Sequence, residues 1–381
     1  MFHSTTRSCL LLTIVLLTVS AIARGSAFED YQLRPALQFS LPGSHPQGTS
    51  VMDALPDGRL LVITTRANTF NPGPAELYLE DGVGTRDFRY LGDLPLSATD
   101  NVWFNPGAFL RVSPSAVGAK VAVGNSSLSV GVFDVADLVI PGAAPAIGTI
   151  APVNIDWFAP DDSTFLSAAA WYDNRYLALG NAAFGGPAKL SIFDTQALTA
   201  ELVIDGPANG ANGGIGFDAA GNLFTGNGFD FSSNGETGEI RRFEAADWQD
   251  VAFGPDPPLG FTAGTILGEI LSANGLLFDG DGNLLVSGGD SFGSDPSKKN
   301  FLAIAKLLPN GLIDTIRQFD PDAGSASNSY SLMLNRATGE ILAFDPFGSD
   351  PRAAFVIAVP EPASAVLAIM AMLTLLRPRR R

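Results

Sequence analysis

The stretch that decides the fold is "GLLFDGDGNLLVSGGD", residues 275–290. An apolar run enters Asp279-Gly280-Asp281-Gly282-Asn283, and a second apolar run leaves it at Leu284. Asp, Gly and Asn between two such runs mark a hairpin, because they supply the φ > 0 backbone that a tight turn requires. "GIGFDAAGNLFTGNG" (214–228) has the same form. So do "VMDALPDGRLLVIT" (51–64), "FLRVSPSAVGAKVAVGN" (109–125), "SAAAWYDNRYLALGN" (167–181) and "SLMLNRATGEILAFD" (331–345). The turn residues Arg59, Ala119, Arg175, Asn222, Asn283 and Glu340 align, at successive spacings of 60, 56, 47, 61 and 57 residues.

A repeat of this length means one small unit built several times. A third strand follows each hairpin: "AELYLEDG" (75–82), "LSVGVFDVADL" (128–138), "AKLSIFDTQAL" (188–198), "GEIRRFEAADW" (238–248), "FLAIAKLLPNG" (301–311) and "AAFVIAV" (353–359). Fourth strands are expected at "FRYLGDL" (88–94), "AELVID" (200–205) and "LIDTIRQFD" (312–320). The sixth repeat lacks one, while "YQLRPALQFSL" (31–41) is a strand without a repeat. Joining that surplus to that gap removes an open sheet edge. The chain therefore predicts an all-β fold, a six-bladed β-propeller of four-stranded blades. A seven-bladed ring with one degenerate blade and a large two-sheet sandwich are the alternatives. The 41 glycines and 26 prolines leave little room for long helices. The phrases "FDAAGNLF" and "FDGDGNLLV" resemble the repeats of NHL and SMP-30-like propellers, a likeness of the repeat and not of any enzyme.

The two ends read differently. In residues 1–27, Arg7 precedes an apolar run from Cys9 to Ile22, and Ala21 and Ala23 offer a small-residue cleavage site. That is the layout of a cleavable export signal, with an uncleaved anchor as the plainer reading. Cys9 is the only cysteine, so the processed chain is expected to have no thiol and to rely on core burial. The body, 28–358, has no evident internal linker and reads as one domain.

The closing segment, 359–381, holds Pro360, Glu361 and Pro362, then 14 residues from Ala363 to Leu376 with only Ser364 and Thr374 polar, then Arg377, Arg379, Arg380 and Arg381. As a helix the apolar run is roughly 21 Å long, short of a hydrocarbon core of about 30 Å. The arginines belong on the cytoplasmic side. This order resembles the PEP-CTERM sorting signal of Gram-negative bacteria. The resemblance implies that an exosortase, a membrane-embedded cysteine protease, recognises Pro360-Glu361-Pro362, removes the transmembrane sorting helix and passes the body to the cell surface or extracellular matrix. A plain single-pass anchor is the other reading.

The whole chain has a formal net charge of −16. Without the two end segments 17 basic and 38 acidic side chains remain, net −21. Such a body is repelled by phosphate backbones and anionic lipid, so nucleic acid is not an expected partner. The expected partners are the exosortase and export machinery, the membrane through the C-terminal helix, and surface polysaccharide or matrix.

The search for chemistry assigns no catalytic residue, no metal site and no cofactor. Gly289-Asp290-Ser291-Phe292-Gly293 matches the text of a nucleophile elbow, but no helix signal follows it. After the export segment His45 is the sole histidine. Asp279, Asp281 and Asn283 alternate oxygens like half a calcium loop, yet Leu284 stands where glycine belongs. The parallel turn has only Asp218 and Asn222, and a hairpin accounts for both. Asn181, Asn227, Asp290 and Asp345 each follow a second strand, where a channel metal of the SMP-30-like kind would find ligands. Polar strand ends are equally ordinary there. Trp103, Trp157, Trp171 and Trp248 are candidate sugar platforms, while the 26 phenylalanines read as core. The sequon at Asn125 carries no weight. The leading expectation is a non-catalytic surface or matrix module; the alternative is a secreted, metal-dependent propeller hydrolase of the lactonase type.

Overall fold

The computed structural model describes residues 31–38, 41, 50–65, 75–94, 109–124, 129–138, 153–154, 164–183, 189–206, 210–229, 239–269, 273, 275–288, 301–308, 310–319, 331–344 and 353–358. The chain divides into two units. One comprises Met1–Gln32 and Ala358–Arg381. It includes the export segment and the whole of the Pro360-Glu361-Pro362 and arginine tail, both of which lie outside the described residues. Among the described residues no helix is long and apolar enough to cross a membrane. The other unit, Leu33–Ile357, holds the sheets.

Strand β1 (Gln32–Gln38) comes first and finds its partner at the far end of the chain. The strands β2 (Ser50–Ala54), β3 (Leu60–Thr65), β4 (Ala75–Glu80) and β5 (Phe88–Leu94) then form an antiparallel sheet in chain order. A second sheet contains β6 (Phe109–Val112), β7 (Lys120–Gly124), β8 (Ser129–Asp134) and the two-residue β9 (Val153–Asn154), with a short helix α1 (Val135–Leu138) after β8. The third group is β10 (Thr164–Trp171), β11 (Tyr176–Ala183), β12 (Lys189–Asp194) and β13 (Thr199–Asp205). In the fourth, β14 (Gly210–Phe217), β15 (Leu223–Phe229) and β16 (Glu239–Phe243) lead into helix α2 (Ala245–Phe253) and strand β17 (Leu259–Gly260), and then into β18 (Thr265–Glu269), which pairs with β16. Groups three and four share one nine-stranded sheet, because β11 meets β14 at Ala182↔Ala211 and Ala183↔Gly210 and β17 pairs with β13.

A further sheet holds β19 (Gly275–Phe278), β20 (Leu284–Gly288), β21 (Phe301–Leu307) and β22 (Ile313–Phe319). The last has β23 (Ser331–Asn335), β24 (Glu340–Phe344) and β25 (Ala353–Ala358), with β1 beside β25. The strand without a repeat thus occupies the sheet that lacked one.

The turns are closed as their residues demand. In five of the six hairpins the residue just before the aligned position is a glycine with positive φ; Gly221 (83°) and Gly282 (82°) are examples. An L-residue there would be strained. The third hairpin has Asn174 at that place and is locked by Asp173, whose Oδ1 accepts from the Arg175 and Tyr176 N–H groups at 2.7 and 2.8 Å. Acidic residues at the ends of third strands reach back to their hairpins. Glu80 accepts the Leu60 N–H at 3.0 Å, and Asp194 takes Arg175 at 2.6 Å.

Alternation along the strands builds a core between neighbouring groups. Phe109, Leu166, Trp171 and Phe193 pack between groups two and three. Phe224, Phe278, Leu284 and Val286 pack between groups four and five. First strands touch in a fixed order: β2 with β6, β6 with β10, β10 with β14, β14 with β19, β19 with β23, and β23 with β2. The last of these contacts is reinforced where Asn335 donates from Nδ2 to the Gly58 carbonyl at 2.8 Å and where Arg86 pairs with Glu340 at 3.2 Å.

Two of the third strands depart from the sequence reading, and the first, "LSVGVFDVADL", is a strand only to Asp134 before it turns into α1. "GEIRRFEAADW" is a strand only to Phe243; the rest opens α2. Ala245, Trp248, Val251 and Ala252 recur at helical spacing, and the buried pair Trp248 and Val251 faces the core. The Asn222 side chain accepts the Ala245 N–H at 2.9 Å, satisfying a donor that the helix start leaves open. Trp248 is fully buried and donates to the Gly221 carbonyl at 2.9 Å. Its ring meets Tyr172 at 5.0 Å and Phe217 at 5.5 Å, so α2 rests on the turns of groups three and four.

Candidate functional site

The first strands end around a cavity of about 320 Å³ to which all six groups contribute. Trp171, Ile215, Phe217, Phe278, Leu332 and Met333 give it apolar walls. Its charged members among the described residues are Asp53, Arg111 and Arg336. Asp53 and Arg111 are each the penultimate residue of a first strand, β2 and β6, while Arg336 directly follows β23.

These side chains join neighbouring strands. Asp53 is buried and accepts the Ala54 N–H on Oδ1 at 2.8 Å and the Val112 N–H on Oδ2 at 2.7 Å, tying β2 to β6. Arg111 donates from Nε to the Ala169 carbonyl at 2.9 Å and from Nη1 to the Leu110 carbonyl at 3.1 Å, tying β6 to β10. The Trp171 indole returns the bond, donating to the Arg111 carbonyl at 2.9 Å. Burial pushes the Asp53 carboxyl above its ordinary value; the Arg111 charge, the two N–H bonds and the Arg336 charge oppose that rise. Burial likewise pulls Arg111 down, with Asp53 holding it up. A guanidinium starts from so high a value that it stays charged.

Chemically the cavity offers two guanidiniums, one committed carboxylate and walls of mixed polar and apolar character. Among the described residues no three His, Cys, Asp or Glu side chains gather as metal ligands would. A second, smaller hollow of about 130 Å³ lies beside Tyr176, Asp194, Glu201 and Phe253.

Of the described residues singled out in the sequence, Trp171 lines this cavity and the others serve turns or the core. Asp279 spends its oxygens on the turn, Oδ1 accepting the Asp281 and Asn283 N–H groups at 2.9 and 2.8 Å and Oδ2 accepting Asn283 Nδ2 at 2.7 Å. Asp218 and Asn222 repeat this lock. Asn181 is buried and accepts the Lys189 N–H. Trp248 is core, whereas Trp171 lines the cavity. His45, Ser291, Asp290, Asp345, Trp103, Trp157 and Asn125 lie outside the described residues, as does the Asn227 side chain. Sequence reading passed over Asp53 and Arg111. Their signal was a single charge inside an otherwise apolar strand, in "VMDA" and "FLRV", where burial makes an unpaired charge costly.

No family model and no curated protein matches the chain. Among solved structures it is similar to a protein of unknown function from Dyadobacter fermentans, with a TM-score of 0.54 and 13% identity over 87% of this chain and 100% of that one. At that identity the likeness shows the fold alone. Kuenenia stuttgartiensis hydrazine synthase (TM-score 0.48, 13% identity, 80% of this chain and 76% of that one) and a luciferin-regenerating enzyme (0.46, 11%, 85% and 95%) carry no argument about this chain.

Proposed function

We propose that the chain is a six-bladed β-propeller, exported by its N-terminal segment and sorted to the cell surface or matrix through its PEP-CTERM tail. There the body serves as a non-catalytic binding or structural module. The observation that carries the propeller reading is the cyclic order of first-strand contacts, from β2 through β23 and back to β2. The pairing of β1 with β25 supports it further, since a sheet assembled from both ends of a chain fastens the two together. The sorting part rests on residues 359–381 alone: Pro360, Glu361 and Pro362 for an exosortase, Ala363–Leu376 for the membrane, and Arg377, Arg379, Arg380 and Arg381 for the inner side. A non-catalytic role is supported by the use made of the polar groups at the cavity, where Asp53 braces strands rather than facing a substrate. Surface polysaccharide or matrix material is the partner this reading names.

The test is the intact mass of the protein from its native host, taken separately from membrane and medium. Sorting and cleavage give a species ending near Pro362 outside the membrane. A species ending at Arg381 in the membrane fraction overturns the sorting reading and leaves a tethered envelope protein.

A further inference from the structure

We infer that the cavity at the ends of the first strands binds a small organic carboxylate, its charge met by Arg336 and Arg111 and its apolar body by Trp171, Phe217, Phe278 and Met333. This rests on the reading of the body as a binding module and names the ligand class of that site.

Charge is the first argument. The cavity has two guanidiniums against one carboxylate, a local excess of +1, in a chain whose net charge is −16. Every other described lining residue is uncharged. An acidic protein that concentrates positive charge in one hollow of mixed polar and apolar lining selects anions there and rejects them elsewhere. That excess already counts Asp53 as a full negative charge, and its oxygens accept from the Ala54 and Val112 N–H groups rather than from either guanidinium.

Donor capacity is the second. A guanidinium carries five N–H groups. Carbonyls of Ala169 and Leu110 use one on Nε and one on Nη1 of Arg111, fixing the group in place with further donors to spare. A pre-positioned arginine loses little freedom on binding and matches a carboxylate's two oxygens. Arg336, exposed at the mouth, supplies the second charge.

Size and wall chemistry are the third. At about 320 Å³ the hollow is at the lower end of small-molecule sites, room for about ten waters at roughly 30 Å³ each. The indole, phenyl, thioether and aliphatic groups in its walls, set beside a comparable polar surface, suit a ligand with both an aryl or branched body and a charged group.

The test is calorimetric titration of the full chain with phenylacetate, 2-phenylethanol and phenethylamine, which share the ring and differ in charge. Phenylacetate is expected to bind at least about tenfold more tightly than the alcohol, and the amine not to bind. Arg336→Gln, an exposed change that leaves the core untouched, is expected to weaken phenylacetate about tenfold without moving the melting temperature. Equal binding of the three probes, or full affinity in Arg336→Gln, overturns the inference. So does a cooperatively melting protein that binds no phenylacetate at about 10 mM. If that protein still retains host surface polysaccharide, the carboxylate site falls and the binding-module reading stands; if it retains neither, both fall.

Discussion

Replacing Gly214 with alanine tests how the inner strands meet. In β14 the Gly214 N–H donates to the Ala273 carbonyl at 2.8 Å, so its backbone lies directly against the start of the next group. A Cβ on Gly214 would stand 2.5 Å from the Gly275 carbonyl carbon and 2.8 Å from its Cα, where ordinary contacts begin near 3.4 Å. The obstacle is backbone, so one strand must retreat by about 1 Å, and overpacking of this kind costs about 1–3 kcal/mol. Losing the Gly214–Ala273 bond adds about 1 kcal/mol. The entropy that alanine removes from the unfolded chain returns about 0.4–1 kcal/mol. The net is about 1–3.5 kcal/mol of destabilisation, read in a unit as long as Leu33–Ile357 as a fall in melting temperature of about 2–5 °C. Gly216 in the same strand is the internal control. Its Cβ would meet Phe278 at 3.5 Å, an ordinary contact, so Gly216→Ala is expected to stay within about 0.5 kcal/mol. Circular dichroism melts of the three proteins decide the matter. Equal melting of Gly214→Ala and Gly216→Ala would refute the close approach of β14 and β19.

Three more outcomes follow from the same contacts. Trp248→Ala empties the seat of α2 and should cost about 3–5 kcal/mol in urea unfolding, whereas Trp248→Phe, which keeps one ring but loses the rest of the indole and its donor to Gly221, should cost about 1–2 kcal/mol; similar losses for both would mean the ring does not anchor the helix. Asp194, held at about 2 chiefly by its Arg175 hydrogen bonds, favours the folded state above its ordinary value of 3.8, and that support disappears as pH falls towards 2. A melting profile of Asp194→Asn should therefore lack part of the wild-type fall in this interval, and an unchanged profile would remove the pair from the account. Asp53 acts in the opposite sense: burial raises it above 3.8, so the folded state takes up its proton more readily and this group favours folding as pH falls through its raised value. Asp53→Asn should abolish that acid-side gain, and a profile that keeps it assigns the effect to another group.

Much of the architecture was legible because its signals are local. A turn such as Asp279–Asn283 closes on itself through bonds between residues two and four apart, so five consecutive letters suffice to announce it. The strands around it alternate apolar positions at a period the sequence displays directly. The order of residues 359–381 is likewise a property of the sequence alone. Helix α2 was missed because "FEAADW" alternates well enough to pass for a strand. What makes it a helix is a burial place for Trp248 formed by Tyr172 and Phe217, neither of them near it in sequence.

The sequence by itself determined the repeat, its turns and the supply of a strand at one end for a gap at the other. Only the tertiary structure decided where the chemistry sits. Asp53, Arg111 and Arg336 are isolated charges in three separate segments, and nothing in the spacing between them predicts that they line one cavity. They meet because backbone contacts carry β6 onto β2 and return β23 to β2, and a contact closed over nearly the whole chain leaves no mark in any local window.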